Sequence, residues 1–155
     1  MQPFDSSRAT ALFEAVMDSV RGFECVREGT HTFGLYNYAA HRAVIRRGLA
    51  STLHRQLHHY GFRVDPDGSS VGALHRFYLK LRSALAGGKR SVVRELVRGE
   101  RHLLHVLEVT LASVAVPEDV GATLAELHHC VSDSKLELTR LGVSARRQRY
   151  MAKAD

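Results

Sequence analysis

Proline is scarce. Three occur in 155 residues, at positions 3, 66 and 117, so long uninterrupted helices are permitted between them. Cysteine is scarcer. Cys25 and Cys130 stand alone without CxxC spacing, and read as reduced thiols of a cytosolic protein and as small helix-packing residues. No run approaches the ~18 apolar residues that would span a bilayer, which excludes a membrane-spanning helix. The opening MQPFDSSRAT carries an acid and no apolar stretch, so no secretory signal is expected. Apolar–polar alternation with β-branched enrichment is also missing, which argues against strands. No GxGxxG or GxxxxGK[ST] phosphate loop and no GxSxG elbow is present, and neither cysteine sits in a nucleophile motif. Together these absences predict a soluble cytoplasmic all-α protein without a familiar catalytic signature.

What is present is ordinary in bulk. The chain is 45% apolar and 25% charged, as in soluble globular domains, and its length suits one domain with a substantial core. Formal charge is +6, with arginine outnumbering lysine and spread over every segment. The one local concentration is Arg140, Arg146, Arg147 and Arg149. It reads as a basic tail first and as a contact for phosphate or an acidic partner second. Arginines interleaved with aromatics along one helix are not evident, which argues against nucleic acid. Histidine is the compositional excess, with ten copies.

Periodicity divides the chain into helices. Helix A is predicted over about 7–27, capped by Asp5 or Ser6, with Leu12, Phe13, Val16, Val20, Phe23 and Val26 inward. Gly29 is available for a left-handed cap before a link through Thr30, His31 and Thr32. Helix B is predicted over about 33–60, with Tyr38, His41, Ile45, Leu49, Thr52, Leu53, Leu57 and Tyr60 inward. Asp65-Pro66-Asp67-Gly68 is turn chemistry, and Ser69 or Ser70 can cap a short helix over about 71–85. Its apolar side is Leu74, Phe77, Tyr78, Leu81 and Leu85, and Gly87-Gly88 stops it. Helix C follows over about 90–114. Helix D spans about 118–141, with Val120, Leu124, Leu127, Val131 and Leu138 inward. Two antiparallel hairpins joined by a long crossover carrying a short helix is the topology of ferritin-like four-helix bundles. The bundle is placed at 6–142, with a basic, mobile C-terminal tail over 143–155.

One residue breaks the pattern of helix C. Val93, Val97, Leu103, Leu104, Leu107, Leu111 and Val114 form its apolar stripe, and Glu100 falls on that stripe between Val97 and Leu104. A buried carboxylate is costly unless paired, hydrogen-bonded, protonated or bound to metal. An arginine or histidine of a neighbouring helix is the simpler partner, and a metal ion the functional one.

Several elements look like one known family. They are Asp18-x3-Gly22-Phe23, Gly61 with Asp67-Gly68-Ser69, Gly72-x-Leu74-His75-Arg76, and Arg98-Gly99-Glu100. The chain resembles, over residues 10–142, a family of uncharacterised bacterial ferritin-like four-helix-bundle proteins known only as a domain of unknown function. The resemblance implies that fold and supplies no activity. Family members usually carry a glycine where Ser19 stands, a tryptophan at Tyr78 and a His-Asp pair at Lys135-Leu136.

A di-iron site in such a bundle needs an inward Glu on two helices and Glu-x-x-His on the other two. Glu126-Leu-His-His129 fits by letter, and hairpin geometry sets it level with His105 and Glu108. That makes one candidate grouping, although Glu126 and His129 lie toward the edges of the inward face. Helix B has Tyr38 where the glutamate belongs, ahead of His41. The inward ligand-type residues are therefore Glu100 and His41, too few for two metals. His54-x3-His58 and His102-x2-His105 could chelate a single zinc, nickel or copper ion. His75 and Arg76 are expected to bond the crossover to the bundle. The leading expectation is a non-catalytic, self-associating interaction or structural module with no cofactor and an unidentified protein partner. The alternative is an iron, manganese or zinc protein, an oxidase or store, using Glu100 with His41, or His105, Glu108, Glu126 and His129.

Overall fold

The computed structural model describes residues 3–29, 34–68 and 71–153, with side chains at all of these except 71–78, 145, 146, 148 and 149. Its elements are α1 (Ser6–Gly29), α2 (Tyr36–His59), α3 (Val71–Ala86), α4 (Lys89–Leu111) and α5 (Glu118–Met151). Among the described residues the only β-type pairing is an isolated bridge between Pro3 and Val114, so the chain is all-α. No helix among them is long and apolar enough to cross a membrane. The link at Thr30, His31 and Thr32 and the cap at Ser69 or Ser70 lie outside the described residues. So do the side chains of Leu74, His75, Arg76, Phe77 and Tyr78.

Asp5 caps α1, its carboxylate accepting the Arg8 N–H at 2.9 Å and satisfying a free donor of the first turn. The predicted stripe of α1 is the buried one: Leu12, Phe13, Val16, Val20, Phe23 and Val26 are 2% exposed or less. Gly29 does not take the positive φ of a left-handed cap, and its place is set by packing. A Cβ there would lie 2.7 Å from Leu85 Cδ1, so the residue lets α3 approach.

In α2 the inward face is the predicted one only at Leu53 and Leu57. Its buried residues are Ala39, Ala43, Arg46, Ala50, Leu53 and Leu57, and His41 is exposed. Small side chains bring neighbouring helices close, and that proximity outweighs the larger but half-buried Tyr38, Ile45 and Leu49. α4 buries Val92, Val93, Leu96, Glu100, Leu103, Leu104, Leu107 and Thr110. It stops at Leu111, leaving Leu111 and Val114 exposed. All five predicted inward residues of α5 are wholly buried. That helix continues past residue 141 to Met151, because the sequence there has no proline and is rich in arginine, a good helix former.

α1 packs antiparallel on α2, with Phe13 beside His54 and Phe23 beside Tyr38. α4 packs antiparallel on α5, where Glu108 meets His128. α1 also packs on α4, and α2 on α5, closing a ring with α2 and α4 on one diagonal. These two diagonal helices run the same way, so the segment 60–88 climbs the length of the ring, carrying α3 against α1 and α4. Its turn is pinned: Gly68 N–H reaches the Asp65 carbonyl at 2.9 Å, and Arg21 donates to the Asp67 carbonyl. Gly68 has φ 63°, and a Cβ there would sit 2.8 Å from Met17 Cβ.

The apolar interior falls into two clusters, one around Leu12, Val16, Leu53, Leu107 and Leu124 and one around Phe23, Ala43, Leu96 and Leu138. Between them lies a polar layer of Ser19, Arg46, Glu100 and Ser134, one residue from each long helix.

Candidate functional site

Each residue of the polar layer takes its place from the stripe it interrupts. Ser19 precedes Val20 on α1, Arg46 lies between Ala43 and Ala50 on α2, and Glu100 lies between Leu96 and Leu103 on α4. Arg46 and Glu100 are 1% and 2% exposed. Their side chains meet as a two-pronged pair, Nη1 to Oε1 at 3.0 Å and Nη2 to Oε2 at 2.9 Å. Ser19 completes the set, donating to Glu100 Oε1 at 3.3 Å and accepting from Arg46 Nη1. The guanidinium lies 5.4 Å from the centroid of the Phe23 ring, a favourable placement for a cation. The fork geometry of arginine matches both carboxylate oxygens at once.

On α5, Ser134 is wholly buried and its Oγ lies 2.9 Å from the Tyr38 hydroxyl. Arg42 stands over the Tyr38 ring and pairs with Glu137 at 3.0 Å. The layer is thus tied from α1 through α2 to both α4 and α5.

A cleft of about 170 Å³ opens onto this layer between α1, α3 and α4. Asp18, Ser19, Lys80, Glu95, Glu100 and His102 are among its lining. Burial pushes the Asp18 carboxyl above its ordinary range; Glu14 adds to the rise, while Arg21 and His102 oppose it.

The predicted metal ligands do not come together. Glu100 has both oxygens engaged by Arg46, a permanent cation that would repel a metal at the same carboxylate. His41 points away from the core. His105, Glu108, Glu126 and His129 are all exposed. Glu108 meets His128 at 3.3 Å, and His129 turns to Asp133 of its own helix at 3.5 Å. The α4–α5 register sets residue 128, not 126, opposite Glu108, because Leu124, Leu127 and Val131 take the interior. Among the described residues no three His, Cys, Asp or Glu side chains group as a metal site. His54 and His58 stack at 5.8 Å between ring centroids, and no third ligand joins them. The described residues therefore do not group as a di-iron, manganese or zinc centre.

A protein-family model described as a domain of unknown function matches residues 9–113, the greater part of the chain. The chain belongs to the DUF2383 family. The DUF2383 match runs from α1 through α4 and ends before α5, short of residue 142. It includes Ser19, Arg46 and Glu100 but not Ser134. No curated protein and no solved structure matches the chain.

Sequence reasoning found Glu100 and foresaw a basic partner on another helix without finding Arg46. The signal was the steps from Ala39 through Ala43 and Arg46 to Ala50, the same four-three-four spacing that continues into Leu53 and Leu57. Ser19 carried no hydropathy signal at all.

Proposed function

We propose that this DUF2383 protein is a ferritin-like helical bundle that works as a non-catalytic binding module. The observation that carries this is the buried Arg46–Glu100 pair, bonded at 3.0 and 2.9 Å. Metal-carrying bundles of this kind bring carboxylates and imidazoles from facing helices to the interior. Here an arginine stands opposite Glu100, the one buried carboxylate among the described residues. The long crossover between two antiparallel hairpins is the connectivity that favours the ferritin-like assignment.

Titration with Fe(II), Mn(II) and Zn(II), followed by calorimetry and oxygen consumption, tests the proposal. It expects no stoichiometric binding and no metal-dependent oxygen uptake. Tight binding of iron or manganese that disappears in Glu100→Ala would reverse it.

We propose further that the module self-associates through the end of α5. Gly142 lies level with Val93, whose Cγ1 a Cβ at that glycine would meet at 3.4 Å, and α4 begins at Lys89, so the last turn of α5 overhangs its neighbour. Tyr150 and Met151 on that turn are 74% and 72% exposed, an apolar end suited to a partner helix. Light scattering after size exclusion should give more than one chain per particle. A clean monomer at high concentration would contradict it.

A further inference from the structure

α4 carries a row of arginines one helical turn apart. Arg90, Arg94, Arg98 and Arg101 line one wall of a groove of about 500 Å³ between α4 and the later half of α5. Arg94 and Arg98 also border the neighbouring groove against α3, beside Lys80. Among the described residues only Arg98 of this row has a carboxylate near it, Glu95 at 3.3 Å, and its guanidinium end stays exposed. Among the described residues Arg90, Arg94 and Arg101 meet no acid. Like charges one turn apart repel, so the row opposes folding and helix propensity alone would not require it.

The floor of the groove is apolar. Val93 and Leu138 are buried beneath it, Val97 is partly buried, and Val143 stands on the α5 lip at 61% exposure. Among the described residues no aromatic side chain lines it. A single-stranded nucleic acid would want stacking surfaces there, and a phosphate backbone has no use for a valine floor. A helix with leucines on one face and carboxylates at three- and four-residue steps matches both features. Its acids repeat at the pitch of the arginines, and each arginine presents a fork that fits a carboxylate. From Arg90 to Arg101 the row is about 16 Å long at the helical rise, room for three turns of such a partner.

We propose that the α4–α5 groove docks an acidic amphipathic helix of a partner protein. This names the partner of the binding module proposed above and rests on that proposal. Peptide binding and metal titration are read separately, so failure of one is distinguishable from failure of the other.

The test uses the full chain and a dye-labelled helical peptide, with glutamates at three- and four-residue steps beside a leucine stripe. Binding is read by fluorescence anisotropy at physiological salt. The double variant Arg94→Glu/Arg101→Glu should weaken binding by about a hundredfold, as loss of two charge-assisted contacts implies. Val143→Asp should weaken it too, while Arg63→Glu on the exposed crossover should not. Helical content and melting temperature should stay near the parent's in all of these. Equal binding of a sequence-scrambled peptide would reduce the groove to non-specific charge and overturn the proposal. So would tighter binding of duplex DNA or anionic vesicles that shares the Arg94/Arg101 dependence.

Discussion

Asp18 and Glu100 line the same cleft from opposite helices, and burial acts on them differently. Glu100 is held by a guanidinium and a hydroxyl. Asp18 is desolvated without a comparable partner, and its carboxyl rises above the ordinary range despite Arg21 and His102. A carboxyl raised in the folded state binds its proton more tightly there than in the unfolded chain. Ionising it therefore costs stability above the folded value, and that cost is relieved as pH falls through the carboxylate range. Asp18→Asn should accordingly raise the urea midpoint at neutral pH, with the advantage fading on acidification. Urea titrations of both proteins at neutral and mildly acidic pH check this; a lower midpoint for the variant at neutral pH would contradict it. At this scale the sequence was half legible. An acid on an aliphatic stripe announces itself, but its partner lies 54 residues away, and no local pattern connects the two.

Helices were legible wherever large aliphatic residues mark the inward face. α1 and α5 bury such residues on the predicted stripes, whereas α4 keeps Val93, Leu103, Leu104 and Leu107 of its predicted stripe, half-exposes Val97, exposes Leu111 and Val114, and buries Val92 and Leu96 instead. α2 buries alanines and an arginine, so hydropathy pointed to its half-buried flank and brought His41 inward by mistake. The end of α5 was missed because a basic, polar stretch reads as a tail, although its residues favour helix. The crossover turn was readable from its residue types. Asp65, Pro66, Asp67 and Gly68 form it as expected, and Gly68 takes the positive φ. Gly68→Ala should cost at least about 1–2 kcal/mol from the left-handed backbone alone, with Met17 Cβ adding a clash. Thermal or urea unfolding measures it; an unchanged midpoint would show that the turn relaxes freely.

In the whole molecule, the polar layer joins what the chain topology leaves apart. α2 and α4 stand on a diagonal and are not packed neighbours, so Arg46 and Glu100 reach each other through the interior. Removing one partner of a buried pair leaves an uncompensated charge, at about 3–5 kcal/mol. Replacing both with apolar residues removes that penalty and can be neutral or stabilising by about 1–4 kcal/mol. The pair therefore contributes less to net stability than to the register in which two hairpins meet. The same pair occupies both oxygens of Glu100, and the surface docking proposed above rests instead on the arginine row of α4. A double-mutant cycle with Arg46→Met, Glu100→Leu and the double variant, read by urea unfolding, is the most direct measurement. Each single change should lose about 3–5 kcal/mol, and the double variant should recover most of it, a coupling of at least about 2 kcal/mol. Single losses below about 0.5 kcal/mol, or losses that simply add, would mean the two residues do not hold each other across the core.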